Sequence, residues 1–404
     1  MDSKEFQRHS APASRGRAPL LAGAYERLLL GWLDRARHGL LAVRGPDGRE
    51  HEFGGSLPGP RAEWIIHDWR VAALVARRGD VGLAEGYMED MWDSPGVEDF
   101  YRWLIANLAE LRAGDGSGLH RLLGMLRDRL LRRNSPRVSQ KNIIAHYDLG
   151  NEFFALFLDP GMTYSSALFA GKDISLEQAQ RAKYDRLLDM LDGHESLLEI
   201  GCGWGACAER AVERGHRLAG ITLSPAQLEY ARRRLDGRAD LKLLDYRKAE
   251  GQHDGVVSIE MFEAVGERYW PAWMRAVHGA LRPGGRAAVQ IITIAEDAFA
   301  AYRRGTDFIR AYVFPGGMLS TESAFTACAE AAGLAVEDRL AFADDYARTL
   351  RLWLRGFEHE RAAVQRLGFS RRFIRTWRLY LAVCAAGFAS GRTDVLQLAL
   401  RRAA

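Results

Sequence analysis

Three glycines at alternate positions, Gly201, Gly203 and Gly205, follow directly on the apolar run Leu197-Leu198-Glu199-Ile200. Glycine has no Cβ, so a chain carrying it here takes torsions other residues resist and lets a ligand lie against bare backbone. A helical pattern starts at Ala206 and runs to about Arg214, and the free N–H groups at its start offer a polar, weakly positive surface. A dinucleotide site needs G-x-G-x-x-G and an acidic residue roughly 20 positions on for a ribose. Here the spacing is G-x-G-x-G, and the next strand-like run, 217–222, ends at Thr222 with no Asp or Glu nearby. Ser224-Pro225-Ala226-Gln227 then supplies an N-cap, a proline at the first helical position and a glutamine three after the cap. Gln227 therefore stands beside the end of the second strand, where an amide can recognise a hydroxyl or simply complete a capping box. Glu263 is the third candidate: a carboxylate just past the strand-like run 255–260, at the edge of a parallel sheet where ligands bind.

These groups need a scaffold. After the glycine turn, strand patterns at 217–222, 240–245, 255–260 and 286–294 are separated by helical patterns at 225–235 and 268–281, and a helix over 174–191 delivers the chain to the first strand. Such alternation predicts a parallel sheet with helices on both faces. Upstream, residues 1–20 are rich in Ser, Ala, Pro and Arg and are expected to be disordered. An amphipathic helix is predicted from Tyr25 to Leu41, turns with short strand-like pieces over 42–60, and helices over 64–79 and from Val97 to Leu111. The aromatic side chains there suit either a small helical core or a lipid-facing module; stripes at helical spacing usually pack. Residues 121–141 are a basic amphipathic stretch, which fits an anionic lipid surface or a solvated helix before a linker at Asn134-Ser135-Pro136. Downstream, an insertion over 296–320 and an aromatic tail from Ala341 exceed what a sheet of this size needs as cover. They fit a groove for a long apolar substrate or an oligomer interface, a homodimer being the simplest case.

Composition narrows the classes. The 404 residues allow two domains, and 48% hydrophobic with 27% charged residues describe a globular chain. The net charge of +4 allows an anionic partner, but no aromatic stacking platform or zinc spacing accompanies the basic stretch, so a nucleic-acid partner is not expected. Four cysteines (Cys202, Cys207, Cys328, Cys384) show no paired spacing, which argues against a disulfide framework or a metal site. No run reaches the roughly 18 apolar residues of a membrane span, and no signal-peptide pattern is seen. The expected location is the cytoplasm, peripheral at the inner face of a membrane.

The glycine spacing resembles the S-adenosylmethionine (SAM) loop of class I methyltransferases. Ordered segments extend the likeness: Gly82-Leu83-Ala84-Glu85-Gly86-Tyr87-Met88, His146-Tyr147-Asp148-Leu149-Gly150-Asn151, Thr163-Tyr164-Ser165, Gly220-Ile221-Thr222-Leu223-Ser224, Met261-Phe262-Glu263-Ala264-Val265-Gly266, Phe314-Pro315-Gly316-Gly317 and Asp345-Tyr346. Together they resemble the cyclopropane fatty acid synthase family of SAM-dependent methyltransferases. The resemblance implies a class I, Rossmann-like α/β fold with a seven-stranded, mostly parallel sheet and a smaller, mainly helical N-terminal domain. The domains would be a tail 1–20, a lipid-engaging domain 21–137, and a methyltransferase domain 138–404 with an acyl-binding insertion 296–320.

It also implies a site. SAM would lie on Glu199, Gly201, Cys202, Gly203, Trp204 and Gly205, with Tyr164 and Ser165 over the methionine end, Thr222 and Gln227 at the ribose, and Tyr246 and Arg247 at the adenine. The family substrate is a cis double bond in a phospholipid acyl chain, so a bilayer with unsaturated chains is the expected partner. An isolated alkene is a poor nucleophile, so a sulfonium methyl must be aligned with it at near-attack distance. The resulting cation needs carboxylate and aromatic faces and a dry site. In the family a bound bicarbonate then takes the proton. Glu263 and Tyr346 keep the family's residue types and Ile292, whose backbone would also touch the anion, is unchanged, whereas the family's frequent Cys and His fall at Ser166 and Gln290. Ser and Gln still donate hydrogen bonds to an anion, but neither titrates near neutral pH. The expected product is a cyclopropane; a methylene- or methyl-branched chain, a lipid-binding pseudoenzyme, and a small-molecule or nucleic-acid methyltransferase are the alternatives.

Overall fold

A computed structural model describes residues 19–112 and 149–404. The basic stretch 121–141, the expected boundary at 137/138 and His146-Tyr147-Asp148 lie outside them, as does the expected tail except for Pro19 and Leu20, which open the first helix.

The N-terminal region begins with α1 (Pro19–Leu33), followed by β1 (His38–Arg44), β2 (Glu50–Gly54) and β3 (Leu57–Ile66). Then come α2 (Val71–Arg78), α3 (Asp80–Met88), β4 (Trp92–Asp93), α4 (Val97–Ala106) and α5 (Leu108–Arg112). The four strands form one sheet in the order β2-β1-β3-β4. The helix expected over 64–79 starts only at Val71. Residues 64–66 instead close β3, because Trp64 and Ile66 alternate into the core while Ile65 between them is less buried. Likewise the helix expected to reach Leu41 ends at Leu33, and Leu41 and Val43 point inward from β1.

The second region runs through α6 (Asn151–Ala155), α7 (Leu176–Asp189), β5 (Ser196–Ile200), α8 (Ala206–Glu213), β6 (Arg217–Thr222), α9 (Pro225–Leu235), β7 (Asp240–Leu243), β8 (His253–Ile259), α10 (Trp270–Ala280), β9 (Leu281–Ile294) and α11 (Glu296–Arg304). It ends with α12 (Glu322–Ala331), β10 (Leu334–Ala341), α13 (Ala343–His359), α14 (Arg361–Arg366), α15 (Arg371–Ala389) and β11 (Thr393–Arg402). Seven strands pair in the order β10-β11-β9-β8-β5-β6-β7. β5 is parallel to β6 and β8, β6 to β7, and β8 to β9; only the β11 pairings, with β9 and β10, are antiparallel. From β5 the chain first builds outward through β6 and β7, then crosses to β8 and β9 on the other side. A crevice opens at such a reversal, beyond the carboxyl ends of the strands. The final two strands, β10 just ahead of the aromatic tail and β11 at its end, were not among the strand patterns read from the sequence. Their Leu- and Ala-rich sequences favour helix locally, and pairing of β11 on β9 and of β10 on β11 overrides that preference.

The two regions share one apolar core. Trp64, Trp92, Phe100 and Trp103 pack in the same cluster as Trp353, Phe357, Phe373 and Trp377 from α13 and α15. Arg375 of α15 is buried there: it donates to the carbonyls of Tyr87 and Trp92, pairs with Asp93 at 3.0 Å, and lies 3.8 Å from the Tyr87 ring centre. The segment 296–320 is tied to α3 as well. Asp80 accepts from Phe308 N–H at 2.8 Å, and Tyr312, in a turn of π-helix over Ile309–Val313, donates its hydroxyl to Glu85.

Candidate active site

At the crevice, Gly201, Gly203 and Gly205 all have positive φ, at 90°, 51° and 86°. Their roles differ. A Cβ on Gly205 would come within 3.0 Å of Ala231 Cβ, so this glycine lets α8 and α9 pack closely. A Cβ on Gly203 would meet no heavy atom of the described residues within 4 Å, which leaves bare backbone facing open space. The turn is pinned by Gly201 and Cys202 N–H groups on the Ile221 carbonyl, at 2.9 and 3.0 Å. Cys202 is buried, and Trp204 donates to Asn151 Oδ1 at 2.8 Å while its ring lies 5.2 Å from Phe154.

Glu199 is buried, burial lifts its carboxyl to about 7, and its Oε2 has no hydrogen-bond partner among the described residues. An orphaned carboxylate oxygen beside an open glycine cradle fits the ammonium group of an amino-acid-bearing ligand. Thr222 Oγ1 donates to Gln227 Oε1 at 3.2 Å. The capping question is thereby answered: Ser224 Oγ accepts from Gln227 N–H at 3.3 Å, but the Gln227 side chain turns to Thr222. Arg247 lies over the Tyr246 and Tyr269 rings, 5.2 and 5.7 Å from their centres, and is held by Asp245 at 2.8 Å. Asp245, which organises this corner, was not singled out in the sequence. On the other wall, Tyr164 stacks on Trp353 with centres 5.3 Å apart and donates to the Tyr380 hydroxyl at 2.9 Å, and Ser165 Oγ accepts from Lys183.

The second cluster is built around a residue the sequence reading passed over. Glu260 is the first residue past β8 and has a φ of 49°, in the left-handed region rarely occupied by side-chain-bearing residues. Its Oε1 accepts from Ser166 N–H and from Gln290 Nε2, each at 2.8 Å, and its Oε2 accepts from the Tyr346 hydroxyl at 2.7 Å. Gln290 is held in turn by Gln397 Nε2, 3.0 Å from its Oε1. Ser166, Gln290 and Tyr346 are thus brought together, but on Glu260. The Ser166 hydroxyl points back to the Ala167 carbonyl at 3.1 Å. The Ser166 N–H, Gln290 Nε2 and Tyr346 hydroxyl are already satisfied by this side chain, so a free anion does not fit among them. The positional logic applied to Glu263 holds with more force for Glu260, at the tip of the same strand, and would have found it.

Glu263 stands apart from that trio. Its Oε1 accepts from the Ile292 N–H, so the expected Ile292 backbone contact is made to a protein carboxyl. Its Oε2 is buried with no partner among the described residues. Burial, and then the nearby Glu260, lift Glu263 to about 8. Burial also raises Glu260 above the ordinary carboxylate range, opposed by the Ser166 N–H, the charge of Lys183, and the Tyr346 and Gln290 hydrogen bonds. The two carboxyls differ in their surroundings: Glu260 is held by three hydrogen-bond donors that favour its charged form, whereas Glu263 has one and is lifted further, a division that suits one as proton acceptor and the other as neutral wall.

A class I methyltransferase sheet, a glycine cradle open to a nucleoside ligand and a buried acid pair define the class: an SAM-dependent methyltransferase. The particular family follows from comparison. The family model described as mycolic acid cyclopropane synthetase matches residues 134–398, and the chain belongs to that family. The chain is 38% identical over 349 residues to tuberculostearic acid methyltransferase UfaA1 of Mycobacterium tuberculosis, covering 82% of this chain and 81% of that protein. It is 31% identical over 338 residues to the cyclopropane-fatty-acyl-phospholipid synthase of Escherichia coli K12, covering 81% and 85%. Mycolic acid cyclopropane synthase CmaA1, in a crystal structure with SAH and CTAB, superposes with a TM-score of 0.61 at 31% identity, over 65% of this chain and 98% of that one. The protein is an SAM-dependent enzyme of fatty-acyl lipid modification.

Proposed function

We propose that this enzyme transfers a methyl group to the cis double bond of an unsaturated acyl chain in a membrane phospholipid, and that Glu260 takes the proton that ends the reaction. The observation that carries this reading is the Glu260 carboxylate, held by three donors from three separate segments at the ligand edge of the sheet. SAM, when bound, supplies the electrophilic methyl. Glu199, Gly203, Thr222, Gln227, Tyr246 and Arg247 would hold it, and the Tyr164–Trp353 stack would close the site against water. Tyr346, its ring 4.4 Å from Phe388, and Tyr164 present aromatic faces that suit a developing positive charge.

Two products are open to this chemistry. Proton loss from the new methyl, with bond formation to the neighbouring cationic carbon, closes a cyclopropane. If a hydride first moves from the methylated carbon to that neighbour, proton loss from the methyl leaves a methylene branch. The branched product is favoured by two findings: a base fixed in the protein in place of a diffusible anion, and greater identity to the tuberculostearic acid methyltransferase than to the phospholipid cyclopropane synthase. Access to the substrate would be by peripheral contact with the bilayer; among the described residues no helix is long and apolar enough to cross a membrane.

The test uses the purified chain, SAM with a trideuterated methyl, and vesicles of unsaturated phosphatidylethanolamine and phosphatidylglycerol. Lipid mass spectrometry is expected to show acyl chains gaining one dideuterated methylene unit, and deuterium NMR then separates vinylidene from ring deuterons. SAM binding without transfer of label to lipid overturns the reading.

A further inference from the structure

Lys183 is fully buried, and the chemistry above makes no use of it. From α7 its Nζ donates to Ser165 Oγ at 2.7 Å. One turn earlier Gln180 Nε2 donates to the Ser165 carbonyl at 3.0 Å, and the next residue, Tyr184, donates its hydroxyl to Thr163 Oγ1 at 2.9 Å. Residues at i, i+3 and i+4 share one helix face. That face grips the loop 163–166, whose last N–H donates to Glu260. The ammonium also lies in the field of Glu260, Asp159, Cys207 and Glu199.

We infer that Lys183 is a positioning residue for the proton transfer: its ammonium keeps Glu260 ionised, and its bond to Ser165 sets the loop that aims that carboxylate. The inference rests on Glu260 being the base. A buried carboxylate without a cation nearby loses its solvation and reverts to the neutral acid. A neutral Glu260 cannot accept a proton. The groups facing Glu260 are Lys183 from α7, Glu263 on its own loop, Tyr346 from α13 and Tyr380 from α15. Burial pushes both tyrosines up, so they stay neutral; Glu263 titrates at about 8, and burial lowers Lys183 to about 8. Asp159 and Glu199 also act on Lys183 through their charge and offset the cost of burying it. Below pH 8 Lys183 is therefore charged and Glu263 neutral, and ionisation of Glu260 sets the acid limb of activity.

The experiment measures kcat against pH in the vesicle assay for the wild type, Lys183→Met and Ser165→Ala. Lys183→Met is expected to move the acid limb up by roughly one pH unit or more, with at least about a tenfold loss on that limb. Ser165→Ala removes the hydrogen bond but keeps the cation, and its limb stays in place although its rate falls. A purely structural lysine would lower rates without moving the limb. A second readout needs neither donor nor lipid nor a lysine variant: ¹³C NMR titration of the glutamate carboxyls, with Glu260→Gln assigning the signal. Glu260 ionised at pH 7 in the wild type supports the inference; Glu260 protonated there overturns it. If Glu260→Gln is inactive and Lys183→Met keeps the wild-type limb, the inference about Lys183 falls and Glu260 remains the base. If Glu260→Gln turns over like the wild type, the base itself is misassigned.

Discussion

Exchanging Glu260 for glutamine removes a negative charge and a proton acceptor while keeping shape. The amide oxygen can still accept from Ser166 N–H and Gln290 Nε2, as the carboxylate does at 2.8 Å. The amide nitrogen then faces the Tyr346 hydroxyl, which rotates from donor to acceptor. No buried group loses its partner, so folding changes by about 1 kcal/mol. General-base transfer contributes roughly 10²- to 10⁴-fold, or about 3 to 5.5 kcal/mol of barrier. The expected result is therefore a fall in kcat of about that factor with SAM affinity little changed, read by label transfer to vesicles and by calorimetric titration of SAM. Glu260→Gly goes further: it deletes the carboxylate, relaxes a backbone at φ 49°, and frees three donors around a small void. Added bicarbonate, formate or acetate is expected to restore part of the lost activity to the glycine variant and none to the glutamine variant. Activity of Glu260→Gln within tenfold of wild type, or no anion rescue of a folded, SAM-binding glycine variant, refutes the reasoning.

Gly203→Val puts a branched side chain into the open space over the cradle at a positive φ, and isothermal titration should show SAM binding lost with the fold intact by circular dichroism. Glu263→Gln keeps a neutral group beside the Ile292 N–H and should retain far more activity at pH 7 than Glu260→Gln, measured in the same assay. Because the folded-state value of Glu263 is raised from 4.5 to about 8, the wild type loses stability as pH rises from the unfolded value through 8, relative to Glu263→Gln. The gap reaches up to about 5 kcal/mol above pH 8, read from denaturant midpoints across pH. Arg375→Met strands the Trp92 and Tyr87 carbonyls and Asp93, and chemical denaturation should show a loss of about 3–5 kcal/mol.

The parts of the site legible in the sequence are those with local signatures. An apolar strand ending in alternate glycines and a Ser-Pro helix start are short-range patterns, and both lie where they were expected. Glu260 and Lys183 lack such signatures. A glutamate after a strand and a lysine in an amphipathic helix look like surface residues until folding brings Ser166, Gln290, Tyr346 and Ser165 against them, from 18 to 94 positions away. Whether an anion binds stayed open in the sequence for the same reason: the donors were identified, but Glu260 as their acceptor was not. Strands β10 and β11 escaped notice because their residues favour helix in isolation; β11 is held extended by β9, and β10 by β11. The N-terminal sheet was seen only as strand-like pieces between turns, because apolar residues at Trp64 and Ile66 satisfy a two-residue period and a helical one equally well over so short a run.

The buried Arg375 and the α3 carboxylates Asp80 and Glu85 bind the two ends of the chain into one mechanical unit. Neither end can be exchanged alone. A chimaera that takes residues 19–112 from a relative would bring foreign side chains against α13, α15 and the 308–312 turn, so a working hybrid has to import those surfaces together with its new head.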